Sequence, residues 1–217
     1  MPSLVLIDYG SGNLRSAEKA LRECARRLWG AWEVAVTHHA DKVAAADKIV
    51  LPGVGAFAAC MNALAARPGV IEAMTAAVKG RGAPFLGICV GMQLLATRGL
   101  EFGETPGLDW IAGDVKRIEP AGEHFKVPHM GWNQLRWTRP HPVCAGVPDG
   151  TWFYFVHSYY AQPKSAENQL GESQYGEPFA AAIARNNIIG FQFHPEKSHA
   201  AGLRLLANFV SWDGRAD

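Results

Sequence analysis

Pro84-Phe85-Leu86-Gly87-Ile88-Cys89-Val90-Gly91-Met92-Gln93 decides the reading of this chain. An apolar run ends in Gly-x-Cys-x-Gly, and helix-forming residues follow. That is the pattern of a nucleophile elbow, with sulfur where hydrolases of related shape carry serine. The two glycines permit a tight strand-to-helix turn that lifts the Cys89 side chain into the open. At the start of a helix, unsatisfied N–H groups and the helix dipole favour a thiolate. The same stretch also fits a buried cysteine packed at a strand end, and the motif by itself leaves both readings standing.

A second segment, about a hundred residues on, separates them. Phe191-Gln192-Phe193-His194-Pro195-Glu196 reads as a strand running into a turn. Alternation puts Phe191 and Phe193 on one face, Gln192 and His194 on the other. Pro195 stops the strand because it has no N–H for a ladder. Glu196, two residues past His194, can reach one ring nitrogen, fix the tautomer and steady the imidazolium. His194 can then take the thiol proton and hand one to a leaving amine. Cys89, His194 and Glu196 form a candidate triad of nucleophile, base and orienter.

Two further features serve such a triad. In Pro52-Gly53-Val54-Gly55 the glycines leave the backbone free to turn the Val54 N–H toward the sulfur, where it and the Val90 N–H would hold a tetrahedral oxyanion. The plain alternative is a strand-to-helix turn with glycine at positive φ. Gln93, one helical turn past Cys89, can face the same cleft.

The rest of the chain supplies a frame. Leu4 to Ile7, Val34 to Val36, Ile49 to Leu51 and Pro84 to Ile88 read as strands. Helices are expected from Asn13, as N-cap, to Arg27, then over Ala56 to Ala66, Val70 to Lys79 and Val90 to Thr97. This alternation predicts an α/β fold with a central, mostly parallel sheet flanked by helices. In the second half, Val115 to Ile118, Gln134 to Trp137, Trp152 to Val156, Phe179 to Arg185 and Ile188 to Phe193 read as strands of an antiparallel extension, with a hairpin turn at Asn186-Asn187 and a last helix from Ala200 to Trp212. The 217 residues are expected to form one domain, 1–217, burying roughly 70% of the unfolded chain's surface.

Twenty-one basic against twenty acidic residues, with no charge run, argue against nucleic acid or an anionic membrane as a partner. No segment reaches the roughly 18 apolar residues of a membrane span. Cys24, Cys60, Cys89 and Cys144 are too scattered for a zinc site or disulfide scaffold, so a reducing cytoplasm is expected. His38, His39, His124, His129, His141, His157 and His199 show no metal-ligand spacing and read as structural or surface residues. Asp8-Tyr9-Gly10-Ser11-Gly12-Asn13 lacks the third glycine of a dinucleotide loop, since Arg15 stands in its place.

The elbow Gly87 to Gln93 and the tail Phe193-His194-Pro195-Glu196-Lys197-Ser198 resemble the class I (triad) glutamine amidotransferases. Within that family, the segments Asp8 to Asn13, Pro52 to Phe57, His129-Met130-Gly131-Trp132-Asn133 and Tyr154-Phe155-Val156-His157-Ser158-Tyr159 look like glutaminase subunits of imidazole glycerol phosphate synthase. The resemblance spans essentially the whole chain and implies a flavodoxin-like amidotransferase domain. It implies that Gly55, Gln93 and Glu101 bind L-glutamine, and that the backbone of Ser158 and Tyr159 holds its α-carboxylate. It implies that the Gly53–Val54 peptide flips when a partner signals. It puts Asn13, Met130, Trp132 and Lys197 at a heterodimer interface with a (β/α)₈ cyclase subunit. That subunit would use the ammonia to make imidazole glycerol phosphate and aminoimidazole-carboxamide ribonucleotide in histidine biosynthesis. No metal or organic cofactor is implied. The triad by itself explains amide hydrolysis alone; if the ammonia is used in synthesis, its acceptor is expected on another chain, since a TIM barrel alone needs about 250 residues.

Two other readings stay open at this stage, and the triad residues argue against a third. One is the glutaminase of another separate-chain amidotransferase, serving pyridoxal phosphate, anthranilate or a surface-sugar pathway. Another is a stand-alone cysteine hydrolase or γ-glutamyl hydrolase, which would turn over without a partner. A non-catalytic binding subunit would have no use for the three triad residues.

Overall fold

The computed structural model describes residues 1–28, 32–120 and 125–215; His124 lies outside them. The amino-terminal half alternates strands and helices: β1 (Ser3–Ile7), α1 (Leu14–Arg27), β2 (Glu33–Thr37), α2 (Ala40–Ala45), β3 (Lys48–Gly53), α3 (Phe57–Ala65), α4 (Val70–Thr75), β4 (Phe85–Cys89) and α5 (Val90–Gln93). Short strands β5 (Arg98–Gly99) and β6 (Thr105–Pro106) follow, then β7 (Gly113–Arg117), β8 (His129–Trp137), β9 (Thr151–His157) and β10 (Tyr159–Pro163). The chain closes with β11 (Gln169–Tyr175), β12 (Glu177–Arg185), β13 (Ile188–Phe191) and α6 (His199–Ser211).

One nine-stranded sheet runs in the order β2-β1-β3-β4-β13-β12-β11-β8-β9. The first five strands are mutually parallel, and the remaining four pair antiparallel. Apolar side chains explain the division. Strands β3, β4 and β13 are buried at every residue, as a sheet covered on both faces requires. The antiparallel strands β8 and β9 alternate buried and exposed residues, as a sheet with one wet face does. Helices α1 and α6 pack together, while α2, α3 and α4 form a second group. A smaller sheet, β10-β7-β5-β6, stands beside the main one. The hairpin at Asn186-Asn187 is present: Arg185 pairs with Ile188, and Asn186 takes φ +52°.

Several boundaries differ from the sequence reading. The helix expected over Val90 to Thr97 is a single turn, α5. The carbonyls of Leu94, Leu95 and Ala96 accept N–H groups from Leu108, Trp110 and Asp109, so the helical ladder stops there. The helix expected to Lys79 gives way after Thr75 to a wider π-type turn, Ala76–Gly80. Strand β13 ends at Phe191 rather than Phe193, because the His194 N–H leaves the ladder to bond the Tyr154 carbonyl of β9. Asn13 stands at the N-cap position of α1 but makes no side-chain capping bond. Strands β10 and β11 have no counterpart in the sequence reading; polar Gln162, Gln169, Glu172 and Gln174 obscure them.

Candidate active site

Register assembles the site at the carboxyl ends of three neighbouring parallel strands. Gly53 of β3 pairs with Cys89 of β4, and Phe191 of β13 pairs with Ile88, so Gln192 emerges beside Cys89. Strand ends of this kind are where open α/β sheets bind ligands.

Cys89 holds φ +55°, ψ −114°, a strained conformation for a residue with a Cβ. The flanking glycines are needed for clearance instead. A Cβ on Gly87 would stand 2.5 Å from the Gly91 carbonyl oxygen, and one on Gly91 would stand 1.8 Å from that of Leu51. The sulfur is not in the open: Cys89 is 4% exposed, covered by β9, whose Val156 carbonyl lies 4.0 Å from Sγ. It nonetheless lines a cleft of about 310 Å³.

The structure gathers most of the expected site residues in that cleft. Cys89, Val90, Gln93 and His194 line one part of it, and Val54, Gly55, Glu101, Ser158 and Tyr159 another. Glu196 lies behind His194, its Oε1 2.8 Å from Nδ1, and both side chains are 2% exposed. That contact fixes a proton on Nδ1, so Nε2 is the nitrogen that gains and loses the second one. Nε2 is buried with no hydrogen-bond partner, and no hydrogen bond joins it to Sγ in this arrangement. Burial pushes the imidazole down, but Cys89 and Glu196 together outweigh it and raise it to about 9. An imidazole in that state suits a thiolate–imidazolium pair.

The Val54 N–H does not point at the sulfur. It lies 3.4 Å from Ser11 Oγ, and the Ser11 hydroxyl donates to the Val54 carbonyl at 2.6 Å. Cys60 Sγ lies 3.3 Å from the same carbonyl. The Val90 N–H, at the first position of α5, has no intrahelical partner. Glu101 accepts the Phe57 N–H at 2.7 Å, which ties its carboxylate to the start of α3. Ser158 is a bend between β9 and β10 rather than part of a strand.

The residues expected at an interface lie outside the cleft. Met130 and Trp132 are 62% and 42% exposed on one face of β8. Trp132 stacks on His199 with ring centroids 5.0 Å apart, and Lys197 Nζ sits 5.7 Å above Tyr154. Register sets Met130 opposite Val156 and Trp132 opposite Tyr154, so this patch adjoins the strand that roofs Cys89. Asn13 is half-buried at the start of α1.

Two residues with no role in the sequence reading belong to the site. Gln192 is fully buried with Nε2 3.8 Å from Cys89 Sγ, and its place on the His194 face of the alternation was the available signal. His157 lines the cleft and bonds His129, both buried. Among the described residues, no three His, Cys, Asp or Glu side chains gather as a metal site, and all four cysteines are free and buried.

Burial pushes His129 and His141 down to about 4 and His157 to about 3. Between pH 6.5 and 4 the unfolded chain therefore binds protons that the folded chain refuses, so stability falls as pH falls. His194 works oppositely: its contribution is full below pH 6.5 and is lost as pH rises through about 9. Urea melts at pH 7 and pH 4.5 should show a loss approaching 1.4 kcal/mol per pH unit for each buried neutral histidine. Equal midpoints at the two pH values would contradict this.

Comparison with known proteins places these observations. The family described as Glutamine amidotransferase class-I matches residues 5–212. Imidazole glycerol phosphate synthase subunit HisH of Caulobacter vibrioides is 57% identical over 212 residues, covering 98% of this chain and 99% of that one. The protein of the same name from Rhodospirillum rubrum is 53% identical, covering 96% and 98%. Among solved structures, a glutamine amidotransferase superposes with TM-score 0.69 at 16% identity, covering 95% and 97% of the two chains. A Thermotoga maritima glutamine amidotransferase superposes with TM-score 0.65, also at 16% identity, covering 97% and 83%. At that identity the structural likeness speaks for the fold.

Proposed function

We propose the function from one premise: the chain belongs to the class-I glutamine amidotransferase family. It is the glutaminase subunit of imidazole glycerol phosphate synthase in histidine biosynthesis, a reading supported by its likeness, over nearly their full length, to imidazole glycerol phosphate synthase subunits HisH. The ammonia goes to a separate cyclase subunit, a (β/α)₈ barrel, which binds this chain as a heterodimer. Four free buried cysteines support a cytoplasmic location, and no helix among the described residues is long and apolar enough to cross a membrane.

His194, held by Glu196 in the Nδ1–H tautomer, takes the Cys89 thiol proton through Nε2. The thiolate attacks the side-chain amide carbon of L-glutamine. The C=O pair moves onto oxygen, where the Val90 N–H donates to it. His194 protonates the amide nitrogen, the C–N bond breaks and ammonia leaves a thioester on Cys89. Water, deprotonated by His194, attacks that thioester, and glutamate departs with the thiol restored. Each oxyanion donor is worth about 3–4 kcal/mol of barrier.

The observation that supports partner control is the Val54 amide turned toward Ser11. A second oxyanion donor requires rotation of the Gly53–Val54 peptide, so the resting chain is a slow glutaminase. A stand-alone hydrolase would hold both donors ready. Glutamate release should rise at least tenfold when the cyclase subunit and its nucleotide ligand are added, since one donor alone accounts for roughly 10²–10³ in rate. Equal rates with and without them would overturn the synthase assignment and leave the thiol chemistry standing.

Exposed Met130, Trp132 and Lys197 supply the docking face, with Asn13 carried there by resemblance. Trp132→Ala should weaken cyclase binding by about 2 kcal/mol, roughly thirtyfold in Kd by titration calorimetry. An unchanged Kd would move the interface elsewhere.

A further inference from the structure

A continuous line of hydrogen bonds runs through the buried wall of the cleft and ends on the nucleophile. Asn133 Nδ2 lies 3.3 Å from His129 Nε2, and His129 Nδ1 lies 3.0 Å from His157 Nε2. His157 Nδ1 is 2.9 Å from the Tyr159 carbonyl, which also accepts Gln93 Nε2 at 2.9 Å. Gln93 Nε2 reaches Gln192 Oε1 at 3.0 Å, and Gln192 Nε2 lies 3.8 Å from Cys89 Sγ. Gln93, His129, His157 and Gln192 are all buried.

One atom fixes the sense of the whole line. A backbone carbonyl can only accept, so His157 must carry its proton on Nδ1 and Gln93 must present its NH₂. His157 Nε2 is then an acceptor, which obliges His129 to donate from Nδ1 and to accept Asn133 Nδ2–H at Nε2. Asn133 is itself oriented, because its Nδ2 also donates to the Gln174 carbonyl at 2.9 Å and its Oδ1 accepts the Gln134 N–H at 2.8 Å. On the other arm, Gln93 gives its second hydrogen to Gln192 Oε1, which leaves only the Gln192 NH₂ to face the sulfur. The amide orientations and the tautomers of His129 and His157 follow from the network and need no separate assignment.

An N–H aimed at sulfur favours the charged form of the thiol, and it does so more strongly where water is excluded. We propose that Gln192 is a further catalytic residue whose side-chain amide stabilises the Cys89 thiolate. Gln93, the Tyr159 carbonyl, His157 and His129 are the positioning frame that keeps it amide-first against the sulfur. The proposal rests on Cys89 being the nucleophile of the reaction above. It also ties the nucleophile to β8, the strand that carries Met130 and Trp132 on its other face.

The test is the pH dependence of Cys89 alkylation by iodoacetamide in the complex with the cyclase subunit, scored on the Cys89 peptide by mass spectrometry. The other titratable groups around the sulfur are His194 and Glu101 in the cleft, with Glu196 behind His194, His157 on β9, Cys60 on α3, and Tyr9 after β1. All of them are retained in the variants. In Gln192→Met the alkylation profile should move up by about one pH unit. The kcat for glutamate release at pH 7 should fall roughly tenfold, with KM changing less than about threefold. A folded Gln192→Met with an unmoved profile overturns the role of Gln192.

If that variant does not fold, two substitutions at His129 decide. His129→Leu removes the donor to His157 and should shift the profile in the same direction. His129→Asn keeps a donor near the place of Nδ1 and should stay at the wild-type profile. Identical behaviour of the two overturns the positioning frame and with it the proposal. Glutamate release that survives Cys89→Ala would instead overturn the nucleophile assignment beneath it.

Discussion

Cys89→Ala is expected to abolish glutamate release by the complex, a loss of about 10⁴-fold or more, with the fold retained. Removing one sulfur leaves a small gap and takes one weak acceptor from the buried Gln192 amide, a cost of about 1–3 kcal/mol that a chain of this size can bear. The +55° backbone at this position is no more costly for alanine than for cysteine. His194→Ala should cost roughly 10²–10⁴-fold, the share of a positioned acid–base group. The two losses should not add, because base and nucleophile act on one proton. The measurement is glutamate release with the cyclase subunit and its nucleotide ligand present, alongside thermal melts of each variant. A folded Cys89→Ala complex that keeps more than about one per cent of wild-type turnover would remove the thiol from the mechanism.

Much of this site is legible in the sequence because its chemistry is local. The Gly-x-Cys-x-Gly run encodes a strand end, a sharp turn and the proposed nucleophile within five residues. His194, Pro195 and Glu196 encode the proposed base, a strand stop and the proposed orienter within three, and two residues is close enough for the 2.8 Å contact to form. The parallel core is legible for a similar reason: fully buried strands such as β3 and β4 are unbroken apolar runs. What could not be read depends on residues far apart in order. Helix α5 stops after one turn because the 107–111 segment takes the carbonyls of Leu94 to Thr97, which would have carried the helix on. The Val54 amide is turned by Ser11, and no rule of spacing connects those two positions. His157 and Gln192 look like ordinary strand residues until a single carbonyl, that of Tyr159, orders the bonds between them. The expectation of an exposed sulfur fails for the same reason, since the cover comes from β9.

Gly91→Ala is expected to be among the most destabilising single-methyl additions in the chain. Its Cβ would stand 1.8 Å from the Leu51 carbonyl oxygen and 2.8 Å from the Leu51 carbonyl carbon. Both atoms are backbone of β3, paired in the sheet centre with β4 on one side and β1 on the other, so no side-chain rotation relieves the overlap. Either the elbow moves away from β3 or the two strands part. The cost should be roughly 3 kcal/mol or more, which for a chain of this size lowers Tm by about 6–12 °C. Activity should fall further than stability, because the displaced atoms include the Val90 N–H and the Cys89 turn. Two comparisons isolate the cause. Gly80→Ala meets nothing within 4 Å and has no positive φ, so its Tm should stay near that of wild type. Gly55→Ala also meets open space but sits at φ +105°, so it should show only the backbone strain of about 1–3 kcal/mol. A Gly91→Ala protein melting within about 2 °C of wild type would mean that the elbow and β3 are not in the close contact from which the position of the nucleophile is argued.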